Sequence, residues 1–253
     1  MPDSDLSADS DITQAWYNLI TMYTQRTLTR PRDRLNALAG IAEQYHQYWP
    51  YSKYFASLWE HQLPGSLLWS NHRHGDYHRR PDICHAPSWS WASRDGRAGM
   101  DWCSMNNGMY CTVIHCNITP AKKVNPISKV EDGGILVLEA IIQQATWSTD
   151  KDGFRDLFTV TGAPLDQYGS ESGQSNIGLA YSDAIEKQQD ANVYVAFVGQ
   201  NVKEQCAHGL VLVPATDQIA NTEAYNYPVF HRVGSFEAPL YWSSFPETWL
   251  QSK

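Results

Sequence analysis

The sequence predicts an α+β fold: an N-terminal layer of three helices packed on a C-terminal antiparallel β-sheet or half-open β-barrel. Up to about residue 65 the apolar residues recur at helical spacing. Beyond Gly96 nearly every apolar run is short, β-branched and bounded by Gly, Pro, Asn or Asp. Helices first and strands afterwards make a layered arrangement rather than a βαβ one. Between the two regimes stands Ala86-Pro87-Ser88-Trp89-Ser90-Trp91-Ala92-Ser93, followed by Arg94-Asp95-Gly96. Alternation in this stretch predicts a short strand with Trp89 and Trp91 on one face, closed by a glycine turn.

Residues 1–10 are acidic and serine-rich, cannot offset their own ordering entropy, and are expected to be a disordered tail. One domain is expected over 11–253, helical over 11–65 and mainly β over 66–253. In the first helix Trp16, Leu19, Ile20 and Tyr23 form the inner face, with Asp11 or Thr13 as cap. Thr29 before Arg30-Pro31 caps a second helix, whose face is Leu35, Leu38, Ala42 and Tyr45 and which ends near Trp49-Pro50. Within 52–62, Phe55, Leu58 and Trp59 predict a third helix, terminated by Pro64-Gly65. The polar stretch 71–80 reads as an exposed loop. Strands are predicted at 110–118, 134–142, 154–161, 192–198, 209–214 and 227–233, and the Gly-, Ser- and Gln-rich 162–176 as a flexible connection.

A net charge of -8 disfavours duplex nucleic acid or an anionic membrane as partner. No apolar run reaches the roughly 18 residues of a membrane span, and the N-terminus lacks the basic and apolar regions of a signal peptide. A cytoplasmic protein is the expectation. Cys84, Cys103, Cys111, Cys116 and Cys206 are odd in number and irregularly spaced, which reads as buried thiols rather than a disulfide framework.

Several stretches together resemble one family. They are Trp16 with Tyr23-x-x-Arg26-x-Leu28-Thr29, then Asp33-Arg34-Leu35-x-Ala37-Leu38-Ala39-Gly40-Ile41-Ala42, then Tyr54 with Leu58-Trp59, Leu67-Leu68-Trp69 and the Ser-Trp-Ser-Trp stretch. Gly209-Leu210-Val211-Leu212 and Phe230-His231-Arg232-Val233-Gly234-Ser235-Phe236 follow in the same order. This succession resembles the region downstream of the effector domain in fungal heterokaryon-incompatibility (HET) proteins, and covers nearly the whole chain. The resemblance implies that the death-triggering HET domain would lie before residue 1 and is absent here. It brings no catalytic residues with it.

His72, His74, Asp76, His78 and His85 are the densest set of metal-ligand types, but their spacing matches no metal motif. No phosphate loop, dinucleotide fingerprint or nucleophile elbow is present, so no metal and no cofactor is expected. The chemical anomaly is aromatic: 10 Trp and 14 Tyr. Trp69, Trp89, Trp91, Arg94 and Asp95 are therefore the candidate substrate-binding residues, an aromatic wall with a charged pair at its end. The function expected from them is a cofactor-independent cyclase, Diels-Alderase-like pericyclase or isomerase. It would act on an apolar terpenoid or polyketide intermediate of fungal secondary metabolism, held in a shaped pocket. The alternative is a non-catalytic interaction or regulatory module for a protein partner in heterokaryon incompatibility, which would show an exposed aromatic patch instead.

Overall fold

The computed structural model describes residues 4–26, 33–71, 78, 80–81, 86–100, 108–119, 134–148, 154–159, 176–185, 192–215 and 227–239. The predicted Thr29 cap, His72, His74, Asp76, Cys84, His85, Cys103 and nearly all of 162–176 lie outside these residues.

Helix α1 (Ser4–Thr24) begins inside the stretch expected to be a tail, and buries Trp16, Tyr17 and Ile20. Helix α2 (Arg34–His46) buries Leu35, Leu38, Ala39 and Ala42, one turn apart on the predicted face. Thr24 ends α1 by bonding back to the Ile20 carbonyl (2.9 Å) and accepting the Ala98 N–H (2.9 Å), which stitches the helix end to the chain beyond the Ser-Trp stretch.

The expected three-helix layer is corrected to two helices and a hairpin. Residues 52–62 form strands β1 (Tyr54–Phe55) and β2 (Leu58–Trp59), then a 3-10 turn at Glu60–Gln62. The two-residue turn places Ala56 at φ 46° and Ser57 at φ 82°, left-handed conformations that a sequence without Gly or Asn does not advertise. Ser90 holds the turn from outside by donating to the Ala56 carbonyl at 2.6 Å, and Ser57 lies 3.2 Å from the Tyr54 hydroxyl. The Ser-Trp-Ser-Trp stretch is likewise no strand. Pro87 to Ser90 turns, and Ser90 then caps a 3-10 helix at Trp91–Ser93 by accepting the Ala92 N–H at 3.1 Å. The serine cap outweighs the alternation. Gly96, at φ 88°, lies in a bend at residues 94–96.

The remaining strands are β3 (Cys111–Asn117), β4 (Ile135–Ala140), β5 (Ile142–Trp147), β6 (Phe154–Thr159), β7 (Asn176–Ser182), β8 (Asn192–Asn201), β9 (Cys206–Pro214) and β10 (Phe230–Pro239). β3 and β4 pair with each other, and the last six close an antiparallel barrel in the order β10-β7-β6-β5-β8-β9. The barrel is therefore closed rather than half-open. It consists of two three-stranded meanders, β5-β6-β7 and β8-β9-β10, joined along both edges so that neither is exposed.

Its interior holds Ala145, Trp147, Leu157, Ile177, Ala180, Val193, Val195, Phe197, Ala207, Val211, Val233, Phe236 and Ala238. The other face of β8 and β9, with Ala196, Val198 and Leu210, packs into a second core with the helices, the hairpin and the tryptophans. These two strands are buried on both faces, which is why they read as continuous apolar runs. Small residues let six strands curl tightly. A Cβ on Gly209 would meet the Ala196 carbonyl oxygen at 2.1 Å and the Phe236 ring at 2.4 Å, whereas one on Gly40, in α2, would meet nothing within 4 Å.

Gly209→Ala is accordingly expected to destabilise the fold by roughly 1–3 kcal/mol through overpacking. Gly40→Ala is expected to stabilise it by about 0.5–1 kcal/mol through helix propensity. Urea unfolding of the two variants checks both signs.

Candidate functional site

The predicted site residues Trp69, Trp89, Trp91 and Arg94 are brought together in a joint between chain segments. The joint starts from a bulge in β10. Along this strand Phe236 and Ala238 point into the barrel, so strict alternation would send Arg232 inward as well. A register shift between Arg232 and Gly234 inserts Val233 as the inward residue and places Arg232 opposite Leu212, whose side chain faces the outer core.

Arg232 meets Asp183 there, just beyond β7, through Nε to Oδ2 (2.9 Å) and Nη2 to Oδ1 (3.0 Å), with both side chains only 1% exposed. Its nitrogens also donate to the carbonyls of Leu67 and of Trp69 (2.6 Å for the latter), which end a 3-10 turn at Gly65–Leu68. The guanidinium carbon lies 3.5 Å from the Trp69 ring centroid, and that of Arg94 lies 5.1 Å from the same ring. Each indole is engaged further: Trp69 donates to the Trp89 carbonyl (2.9 Å) and Trp89 to the Gly134 carbonyl (3.0 Å). Trp91 packs edge-on to Tyr23 at 6.2 Å, with the Arg34 guanidinium 6.0 Å from its centroid. Ser88 accepts the Arg232 N–H (3.2 Å), closing the circuit back to the Ser-Trp stretch.

Arg94 is buried and donates to the carbonyls of Asp95 and Arg97, while its Nε has no hydrogen-bond partner among the described residues. Burial pushes its pKa down to about 9, against the attraction of Asp183, and the neighbouring guanidiniums of Arg232, Arg34 and Arg80 push the same way. It remains charged at neutral pH. Asp95 is set apart at the rim, half-exposed, with Oδ1 3.9 Å from Arg34 Nη2. The joint can therefore hold chain segments together, with guanidiniums against the Trp69 ring and Tyr23 and Arg34 against that of Trp91.

An open groove of about 350 Å³ is lined by Tyr48, Trp49, Pro50, Tyr51, Ser52, Glu60 and His61. None of these was among the predicted site residues. The run from 48 to 51 leaves the end of α2, and Ser52, Glu60 and His61 flank the hairpin's base. Trp49 is the fixed floor: its indole N–H donates to Asp9 Oδ1 (2.8 Å), and its ring packs on His61 (4.7 Å), Trp59 (5.2 Å) and Tyr45 (5.7 Å). Tyr48 and Tyr51 are 63% and 97% exposed, an unusual state for rings of this size. Their sequence signal was the density of aromatics around Pro50, which helix periodicity leaves without a buried face.

Ser52 Oγ lies 2.7 Å from His61 Nδ1 and accepts the His61 backbone N–H at 3.3 Å. The Ser52 hydroxyl also donates to the Lys53 carbonyl at 3.5 Å. Burial holds the His61 pKa below its ordinary value, against the pull of Asp9. Across the same hairpin base, Lys53 pairs with Glu60 at 3.3 Å.

Among the described residues no group of three metal-ligating side chains gathers, and burial pushes the Cys111 and Cys116 thiols up to about 12, far from a reactive thiolate. No helix among them is long and apolar enough to cross a membrane.

Asp183→Asn is expected to cost about 3–5 kcal/mol by leaving the Arg232 charge buried and uncompensated. The double variant Asp183→Leu with Arg232→Met should lose less than the two single changes summed, as a urea double-mutant cycle would show. Because the folded His61 pKa lies below the unfolded one, its contribution is complete above about pH 6.5 and is lost as pH falls through the folded pKa. His61→Asn should therefore flatten this part of the pH dependence of Tm between pH 7 and 5. In comparisons with known proteins, no family model, no curated protein and no solved structure matches this chain.

Proposed function

We propose that the chain is a non-catalytic interaction module that takes a protein partner in the groove between α2 and the hairpin. The resemblance to the HET family supplies the setting, non-self recognition in a fungus. The observation that carries the reading is the pairing of two exposed tyrosines, Tyr48 and Tyr51, with a rigid tryptophan floor. Tyr and Trp supply large contact area at little conformational cost and are enriched where partners dock. The polar rim of Ser52, Glu60 and His61 supplies hydrogen-bonding groups around that apolar centre.

The cyclase reading ranks second. It rests on an aromatic wall meeting a substrate, and the rings of Trp69 and Trp91 and the indole N–H groups of Trp69 and Trp89 already have protein neighbours. Substrate entry would require the Arg232 and Arg94 guanidiniums to leave Trp69.

The test is affinity capture from fungal extract followed by cross-linking, with the wild type beside Tyr48→Ala/Tyr51→Ala. The double variant is expected to keep its stability within about 0.5 kcal/mol, since both rings are surface groups. It is also expected to lose an identified partner cross-linked through the groove of the wild type. The same partners on both proteins, or a new small-molecule product from the wild type, would contradict the proposal.

A further inference from the structure

The joint holds more positive charge than its carboxylates answer. Among the described residues, Arg34, Arg94 and Arg232 are its buried guanidiniums and Asp183 is its buried carboxylate. Asp183 commits both oxygens to Arg232, and Asp95, half-exposed at the rim, lies 3.9 Å from Arg34. Arg94 is left without a carboxylate at hydrogen-bond distance. It donates to the carbonyls of Asp95 (3.4 Å) and Arg97 and rests 5.1 Å from the Trp69 ring centroid. Carbonyls and a ring face carry no net charge, so a cation only 1% exposed has no adjoining group of opposite sign.

Two donors of the 94–97 bend are also left over. Arg94 Nε and Arg97 Nε are both out of contact with solvent, and neither has a hydrogen-bond partner among the described residues. Leaving a charged donor buried and unmet costs more than an ordinary hydrogen bond returns. The field around them is cationic: Arg232, Arg34 and Arg80 all act on Arg94 with like charge. Arg80 is half-buried and donates to the Ser93 hydroxyl and the Arg232 carbonyl, each at 3.4 Å, which places it between the joint and its rim.

A water molecule would satisfy a donor and leave the charge, whereas an anion answers both. Guanidiniums match the oxygens of phosphate in geometry as well as in charge. Access decides the size of the ligand. Trp69, Ser93 and Asp183 close the inner side, while Arg80, Asp95, Gly96 and Arg97 are half-buried, so a ligand presents one oxyanion group from the rim.

We infer that the 94–97 bend binds a phosphate group, as inorganic phosphate or as the end of a phosphate monoester, through the Nε–H groups of Arg94 and Arg97 with Arg80 at the rim. This site shares no residue with the groove of Tyr48 and Tyr51, and goes beyond the interaction-module reading without resting on it.

The test is a calorimetric titration of the whole chain with sodium phosphate and, in parallel, with phenyl phosphate at fixed ionic strength. Tm is followed over the same range, up to about 10 mM, where the general stabilising effect of phosphate on any fold is small. Saturable one-site binding of phosphate is expected, with a Tm that climbs with phosphate and not with chloride. Arg97→Gln changes a half-buried side chain and should weaken binding at least about tenfold, the scale of one lost charge-assisted contact. Its Tm should stay close to that of the wild type without phosphate and fall behind as phosphate is added, which a merely structural role would not produce. Arg94→Lys, which keeps the charge and removes Nε, should weaken binding as well. Binding of both compounds supports the site with a monoester as its ligand, and binding of inorganic phosphate alone supports it with a resident ion. No saturable binding of either, or an affinity unchanged by Arg97→Gln, would overturn the inference.

Discussion

The architecture depends on one buried ion pair. Arg232 and Asp183 are both removed from water, which costs several kcal/mol per ion before any attraction is counted. One bidentate pair of hydrogen bonds, two backbone carbonyls and the face of Trp69 offset that cost. A hydrophobic pair of the same volume would offer no such directional constraint. The pair fixes where three parts of the chain meet: the β10 bulge, the end of β7 and the turn at residues 65–69. The bulge is a precondition, because without the extra Val233 the guanidinium would face the barrel interior.

Rigidity passes from this joint to the groove through hydroxyls and rings. Ser88 accepts from the Arg232 backbone, and Ser90, two residues on, caps the 3-10 turn and holds the hairpin turn at Ala56. The hairpin presents Trp59 to Trp16 (5.8 Å), Tyr54 (4.8 Å) and Trp49 (5.2 Å), all edge-on. Trp49 is thereby fixed by the core rings and by Asp9, and Tyr48 and Tyr51 line the same groove. A docking surface whose floor is already ordered loses less entropy when a partner binds.

How much was legible follows from which interactions are local. The faces of α1 and α2 were readable because helix periodicity reports burial directly, and six strands were located because β-branched runs mark them, although the last was ended six residues short of Pro239. β5 escaped as a separate strand because only one residue divides it from β4 and a single strand was predicted over 134–142, and β7 escaped because the tight curl of the barrel demands Gly178 and Ala180 there. A Cβ at 178 would sit 2.2 Å from the Glu237 carbonyl oxygen, so the residue that permits closure dilutes the strand signal. Phe55, Leu58 and Trp59 imitate a helix face because a two-residue hairpin returns the chain at nearly the same interval. The Trp89 and Trp91 alternation was real, but a serine cap decided the local structure. Trp69, Trp89, Trp91 and Arg94 lie near one another, while their partners Arg232 and Asp183 lie far along the chain and 49 residues apart, with nothing in the sequence to announce the pairing.

Native-state hydrogen exchange tests the central claim, that the buried pair makes barrel and aromatic core one cooperative unit. The account predicts that the Trp69 indole proton, bonded to the Trp89 carbonyl, and the Phe197 amide, bonded to the Ile141 carbonyl, exchange only through global unfolding, with the same opening free energy and the same denaturant dependence. If the Trp69 proton exchanged through a smaller, separate opening while the Phe197 amide stayed protected, the joint would not couple the two halves and the account would be contradicted.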